Sequence, residues 1–120
     1  MINDRLKIFT IQENFNTVFP YLKLEFFTRG TTSLGAPLKR FIKPGSKTLG
    51  DCRTIFNKEK IAIAPGMTVV DLEKRFWNIY GLGVQVFRKS GKVWLETTVT
   101  DAWTLEEQNL QGEALSKNPS

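Results

Sequence analysis

Cys52 is the only thiol in the chain, and it stands beside Arg53 with Lys47 nearby. A cysteine becomes a nucleophile when neighbouring cations hold its thiolate, so this trio is the one arrangement suited to covalent chemistry. A buried or merely tolerated cysteine is the commoner case. The sequence contains no histidine. That removes Ser–His and Cys–His pairs, histidine-bound metals and the side chain that titrates nearest neutrality. Glu106 and Glu107 are adjacent, which on a helix turns them about 100° apart rather than toward one substrate. Favourable charge in a first helical turn accounts for them equally well. Asp101 and Glu96 offer a second carboxylate pair, but nothing in their spacing obliges them to meet. There is no CxxC or acidic calcium loop, and Gly30, Gly35, Gly45 and Gly50 spell no phosphate-binding loop. No metal and no cofactor is expected. An enzyme built on Cys52 is the least supported class.

A second set of residues suits binding. In VFRKSGKVWLETT, Arg88, Lys89 and Lys92 crowd a turn, with Phe87 and Trp94 just behind it. Like charges across a hairpin repel unless solvent or an anion relieves them. Aromatic rings beside that charge are what single-stranded nucleic acid binders use. A solvated tip with two packed aromatics explains the same residues, and burial is the usual fate of Phe and Trp. Charge is also uneven along the chain. Residues 28–60 carry eight Lys or Arg against two acids, Lys39, Arg40 and Lys43 among them. Residues 100–120 reverse this, with four acids and one Lys. Such asymmetry steers anionic partners, although solvated loops show it too.

The elements that must position these groups are partly legible. Thr10 to Glu13 reads as a capping box opening a helix over 11–19, closed by Pro20. Leu22, Leu24 and Phe26 alternate with Lys23 and Glu25, which predicts a strand over 22–28. From 29 to 58 the pattern fades into a long basic loop. Lys60 to Ala64 reads as a short strand. Thr68 to Asp71 then caps a second helix whose buried face is Val69, Leu72, Phe76, Ile79 and Tyr80, with Gly81 at its end. A two-residue Ser90–Gly91 turn pairs Lys89 with Lys92 and Phe87 with Trp94. Val84, Val86, Val93 and Leu95 then share one face, and Gln85, Phe87, Trp94 and Glu96 the other. Thr104 to Glu107 is a third capping box, opening a helix to about Leu115 that packs weakly through Trp103, Leu105 and Leu110.

The expected fold class is α+β, ordered α-β-(long loop)-β-α-β-β-α, with one small antiparallel or mixed sheet packed on helices. Its 120 residues suit a single domain over 1–116 with a flexible tail at 117–120. FPYLKLEFF and YGLGVQVF each join a capped helix to a strand, as a diverged repeat would and as any helix-to-strand connection would. QVFRKSGKVWLETTVTDAWTLEEQN, with FPYLKLEFF, resembles a family of small uncharacterised bacterial proteins. The resemblance implies a bacterial, single-domain protein and transfers no functional residue. A lone cysteine, no signal-peptide core and no apolar run of membrane-spanning length point to the cytoplasm and away from a membrane. The reading that follows is a non-enzymatic binding or accessory domain acting through a protein partner or as a homodimer. The alternative is weak nucleic-acid binding through the 28–60 region and the Arg88, Lys89 and Lys92 tip.

Overall fold

The computed structural model describes residues 2–43 and 45–117. The chain runs α1 (Ile8–Val18), β1 (Leu22–Thr31), β2 (Pro37–Phe41), α2 (Leu49–Cys52), α3 (Val69–Tyr80), β3 (Gly83–Ser90), β4 (Val93–Glu96) and α4 (Leu105–Lys117). The four strands form one antiparallel sheet in the order β2-β1-β3-β4. With the helices it makes an α+β domain, as the alternation of apolar periods implies.

α3 forms where its local signals say. Thr68 accepts from the Asp71 N–H, and Gly81 ends the helix at φ +66°, a backbone geometry that costs other residues their Cβ clearance. Val69, Leu72, Phe76, Ile79 and Tyr80 are its buried positions. They meet Leu22, Leu24 and Phe26 of β1 and Val84 and Val86 of β3, all at most 1% exposed. Phe26 and Phe76 pack edge to face with centroids 5.3 Å apart. Ile8, Ile11 and Phe15 of α1, with Phe19 just beyond it, complete that core.

The helices cap one another in pairs, which no single capping box announces. Ile8 and Phe9 donate to the Lys47 and Gly45 carbonyls, while Leu49 and Gly50 donate to those of Leu6 and Asp4. The same exchange joins α3 to α4: Val69 and Val70 donate to Trp103 and Asp101, and Leu105 and Glu106 to Met67 and Pro65. Free N–H groups at each start are thus met by backbone from the partner start. This corrects the first helix. It begins at Ile8, not Ile11, with Lys7 as a cap that makes no side-chain bond, and the Thr10–Glu13 box is unused.

These exchanges reveal two α-β-β-α units. The β1–β3 pairing sets Leu24 against Val86 and Phe26 against Val84. Advancing Leu24 to Val84 and Phe26 to Val86 maps each pair onto the other, so the Glu25–Gln85 pair lies on a local twofold axis. The Lys7–Thr48 and Thr68–Thr104 bridges repeat the same relation before the helices. The diverged repeat suggested by FPYLKLEFF and YGLGVQVF therefore has a structural counterpart.

Other expectations are corrected. The 29–58 stretch is not one loop: it holds the end of β1, all of β2 and the short α2. β2 was hidden because PLKRF is exposed or nearly so at every position, leaving no alternation to read. Lys60 to Ala64 is not a strand. Ile61 alone is fully buried there, and the Ile61 carbonyl accepts a 3.4 Å bond from Ile2. Lys117 belongs to α4, while the rest of the expected tail, 118–120, lies outside the described residues.

Candidate functional site

β1 shows its core residues on one side, and alternation sends Lys23, Glu25, Phe27 and Arg29 to the other. Cross-strand pairing completes that second face. Lys23 stands opposite Phe87, Glu25 opposite Gln85, Phe27 opposite both Gly83 and Phe41, and Arg29 opposite Lys39. At the far edge Lys89 pairs with Trp94 and Phe87 with Glu96. None of these side chains belongs to the main core.

The hairpin carries a register correction. Ser90 pairs with Val93, so the turn is Gly91–Lys92 rather than Ser90–Gly91. Gly91 takes φ +64° while Lys92 stays at negative φ, the combination a turn with glycine first requires. Lys89 faces Trp94, not Lys92, and Phe87 faces Glu96, not Trp94. The shift is by two residues, so the expected grouping of Gln85, Phe87, Trp94 and Glu96 on one face holds. Val93 and Leu95 share the other face but remain exposed.

Cations and rings interleave across this face. The Lys23 Nζ lies 5.2 Å from the Phe87 centroid and 5.3 Å from that of Trp94, and Lys89 Nζ is 6.0 Å from Trp94. Lys39 Nζ sits 4.8 Å from Phe27 and donates to the Gln85 Oε1 at 3.3 Å. Arg29 stacks 4.6 Å from Trp77 of α3 and 5.9 Å from Phe27. Phe27 covers Gly83, where a Cβ would clash with the edge of the ring, and is only 2% exposed. Lys23, Arg29, Lys39 and Lys89 thus meet Glu25 and Glu96 on the sheet and Glu73 of α3 at its margin. Glu25 is 3.8 Å from Lys23 and also accepts from Gln12. An ammonium on a partly exposed ring is held by only about 0.5–1 kcal/mol. Such lysines can leave their rings for a better anion. Beside Lys39 and Arg29, Glu73 has its carboxyl pushed up by burial and then by Asp101, against the pull of those two cations.

Of the residues singled out from sequence, Phe87, Lys89, Trp94 and Lys39 come together here. Arg88 does not: it points under α4, donating to Gln108 at 2.8 Å and lying 5.7 Å from the Trp103 ring. Arg40 pairs with Thr28 and so faces the helix side, exposed. Lys92 sits in the turn, and Lys43 follows β2 beside a hollow of about 400 Å³ that also touches Cys52. Sequence reasoning missed Lys23, Arg29 and Phe27. The signal was the adjacent pair Phe26–Phe27, since neighbours in a strand point to opposite faces.

The Cys52, Arg53 and Lys47 trio does not assemble a nucleophile. Arg53 spends its guanidinium elsewhere, donating to both Asp4 oxygens at 2.8 and 3.1 Å and to the carbonyls of Ile55, Asn57 and Ile79. It is sandwiched between Tyr80 and Phe56, with centroids at 4.6 and 5.0 Å. Burial pushes the Cys52 thiol up, Asp51 adds to that, and only Lys47 opposes it. A thiol raised in this way is protonated at neutral pH and a poor nucleophile. A cavity of about 500 Å³ opens beside Arg53, Tyr80 and Phe56, away from the thiol. No protein-family model, curated protein or solved structure matches the chain.

Proposed function

We propose that the protein is a non-enzymatic binding module that engages an anionic partner through the second face of its sheet. The observation that carries this is the convergence of Lys23, Arg29, Lys39 and Lys89 with Phe27, Phe87 and Trp94, drawn from three separate stretches of sequence. A structural role alone asks for no such concentration of one charge, because like charges on one face repel. The Cys52 site, with its raised thiol and diverted Arg53, supports no catalytic alternative. Acidic protein surfaces and nucleic acids both offer the required charge.

The test titrates isotope-labelled protein with two probes, a Glu-rich peptide and a thymidine homopolymer, and follows backbone amide shifts. The reading expects shifts clustered at Lys23, Lys39, Gln85, Phe87, Lys89 and Trp94 with at least one probe. Shifts confined to the Arg53 cavity or to residues 43–52, or none with either probe, would remove it.

A further inference from the structure

We infer that the partner of this face is a single-stranded nucleic acid, with bases stacked on Phe87 and Trp94 and phosphates held by Lys23, Lys39 and Lys89. The inference rests on the binding reading above and names its ligand. Charge by itself would admit an acidic peptide, but the rings argue against one. An aromatic face carries the negative end of the ring quadrupole, so it repels a carboxylate and welcomes a cation or another flat π-system. In the free protein Lys23 fills that role, lying close to both Phe87 and Trp94. When its ammonium turns to a phosphate, two ring faces become available for bases. One lysine therefore covers the rings in the free state and holds the backbone in the bound state.

The strand state follows from the same geometry. A duplex hides its base faces, which leaves Phe87 and Trp94 nothing to stack on, whereas a single strand exposes them. Little base selectivity is expected. Gln85, the neutral amide at the centre of the face, is 3% exposed and its oxygen is engaged by Lys39, so it has little left to read base edges. The charge distribution agrees with the placement. Glu106, Glu107 and Glu113 belong to α4, which packs on the helix side against Tyr21 and Arg88. These three acids thus sit away from the basic face, which keeps Glu25 and Glu96 on the sheet and Glu73 beside Lys39 and Arg29.

The experiment measures fluorescence anisotropy of a labelled thymidine homopolymer of roughly 12 nucleotides, within the size range of such sites. A duplex of equal length and a Glu-rich peptide serve as comparators. The single strand should bind at least about tenfold tighter than either. With three lysines each releasing about 0.7 counterion, log K against log salt should slope near −2. Trp94→Ala should weaken binding by about tenfold without changing that slope. Lys89→Gln should weaken binding and flatten the slope, while Arg40→Gln, off the face, should do neither. Thermal melts accompany each variant, and Trp94→Leu keeps the apolar bulk should Trp94→Ala fail to fold. Equal affinity for duplex and single strand, or no loss from Trp94→Leu, overturns the stacking assignment. If only the peptide shifts the face's amides, the ligand class is wrong and the binding face stands; if neither probe does, both fall.

Discussion

Phe76 meets Phe26 and Tyr80 in the centre of the core and is fully buried. Its truncation to Ala removes an aromatic body packed on Phe26 of β1 and on Tyr80 one turn along its own helix. Denaturant melts should therefore show a loss of about 3–5 kcal/mol. A loss below about 1 kcal/mol would mean that α3 faces the sheet in another phase. Gly83 makes a complementary case on the second face. Its missing Cβ is the space the Phe27 ring occupies, so Gly83→Ala should cost about 1–3 kcal/mol by overpacking. If Phe27 is free to swing out, the substitution will instead be near neutral in the same melts. That outcome would also show the rim of the candidate face to be soft.

At the scale of elements, α4 shows how a correct local reading can miss the packing. The Thr104–Glu107 box forms as its spacing implies: Thr104 accepts from the Glu107 N–H at 3.1 Å, and Glu107 accepts from the Thr104 N–H at 2.9 Å. The Thr104 backbone N–H, and after it the Thr104 side chain, hold the Glu107 carboxyl below its usual range. A depressed carboxylate stabilises the fold above its unfolded pKa and loses that contribution as pH falls through the folded value. Glu107→Gln should thus make thermal stability less sensitive to acid, and an unchanged acid limb would discount the box. The packing face differs from expectation. Leu105 is buried as expected, but Trp103 and Leu110 remain exposed, and Gln108 and Gly112 take their place on the packed face. Gly112 is the contact point, since a Cβ there would press on Tyr21 at 2.8 Å. Gln108 is satisfied by Arg88 and by Thr100. A polar, glycine-centred face leaves no apolar period to read.

For the whole molecule, ordering is set by which segments gain partners. Residues 29–41 gain a strand pairing and residues 45–52 a reciprocal helix cap, so neither is the first expected site of cleavage. Between α2 and α3 the chain has no regular element, and Phe56, Lys58 and Lys60 are exposed. Limited trypsin should cut first at Lys58 or Lys60, read by mass spectrometry, whereas first cuts at Lys39 or Arg40 would show β2 to be frayed. The sequence alone determined α3, its Thr68 and Gly81 ends, its buried face, the α4 cap and the two faces of the β3–β4 hairpin. Each depends on side-chain period or on groups within a few residues, and so is written locally. Tertiary structure alone decided where α1 starts, because carbonyls of Gly45 and Lys47 meet its free N–H groups. It also decided that PLKRF is a strand, because only pairing with β1 makes it one. The candidate face belongs to this second kind. Lys39 reaches Gln85, and Lys23 reaches Trp94, only after three strands have paired, and no spacing along a chain encodes a neighbour across a sheet.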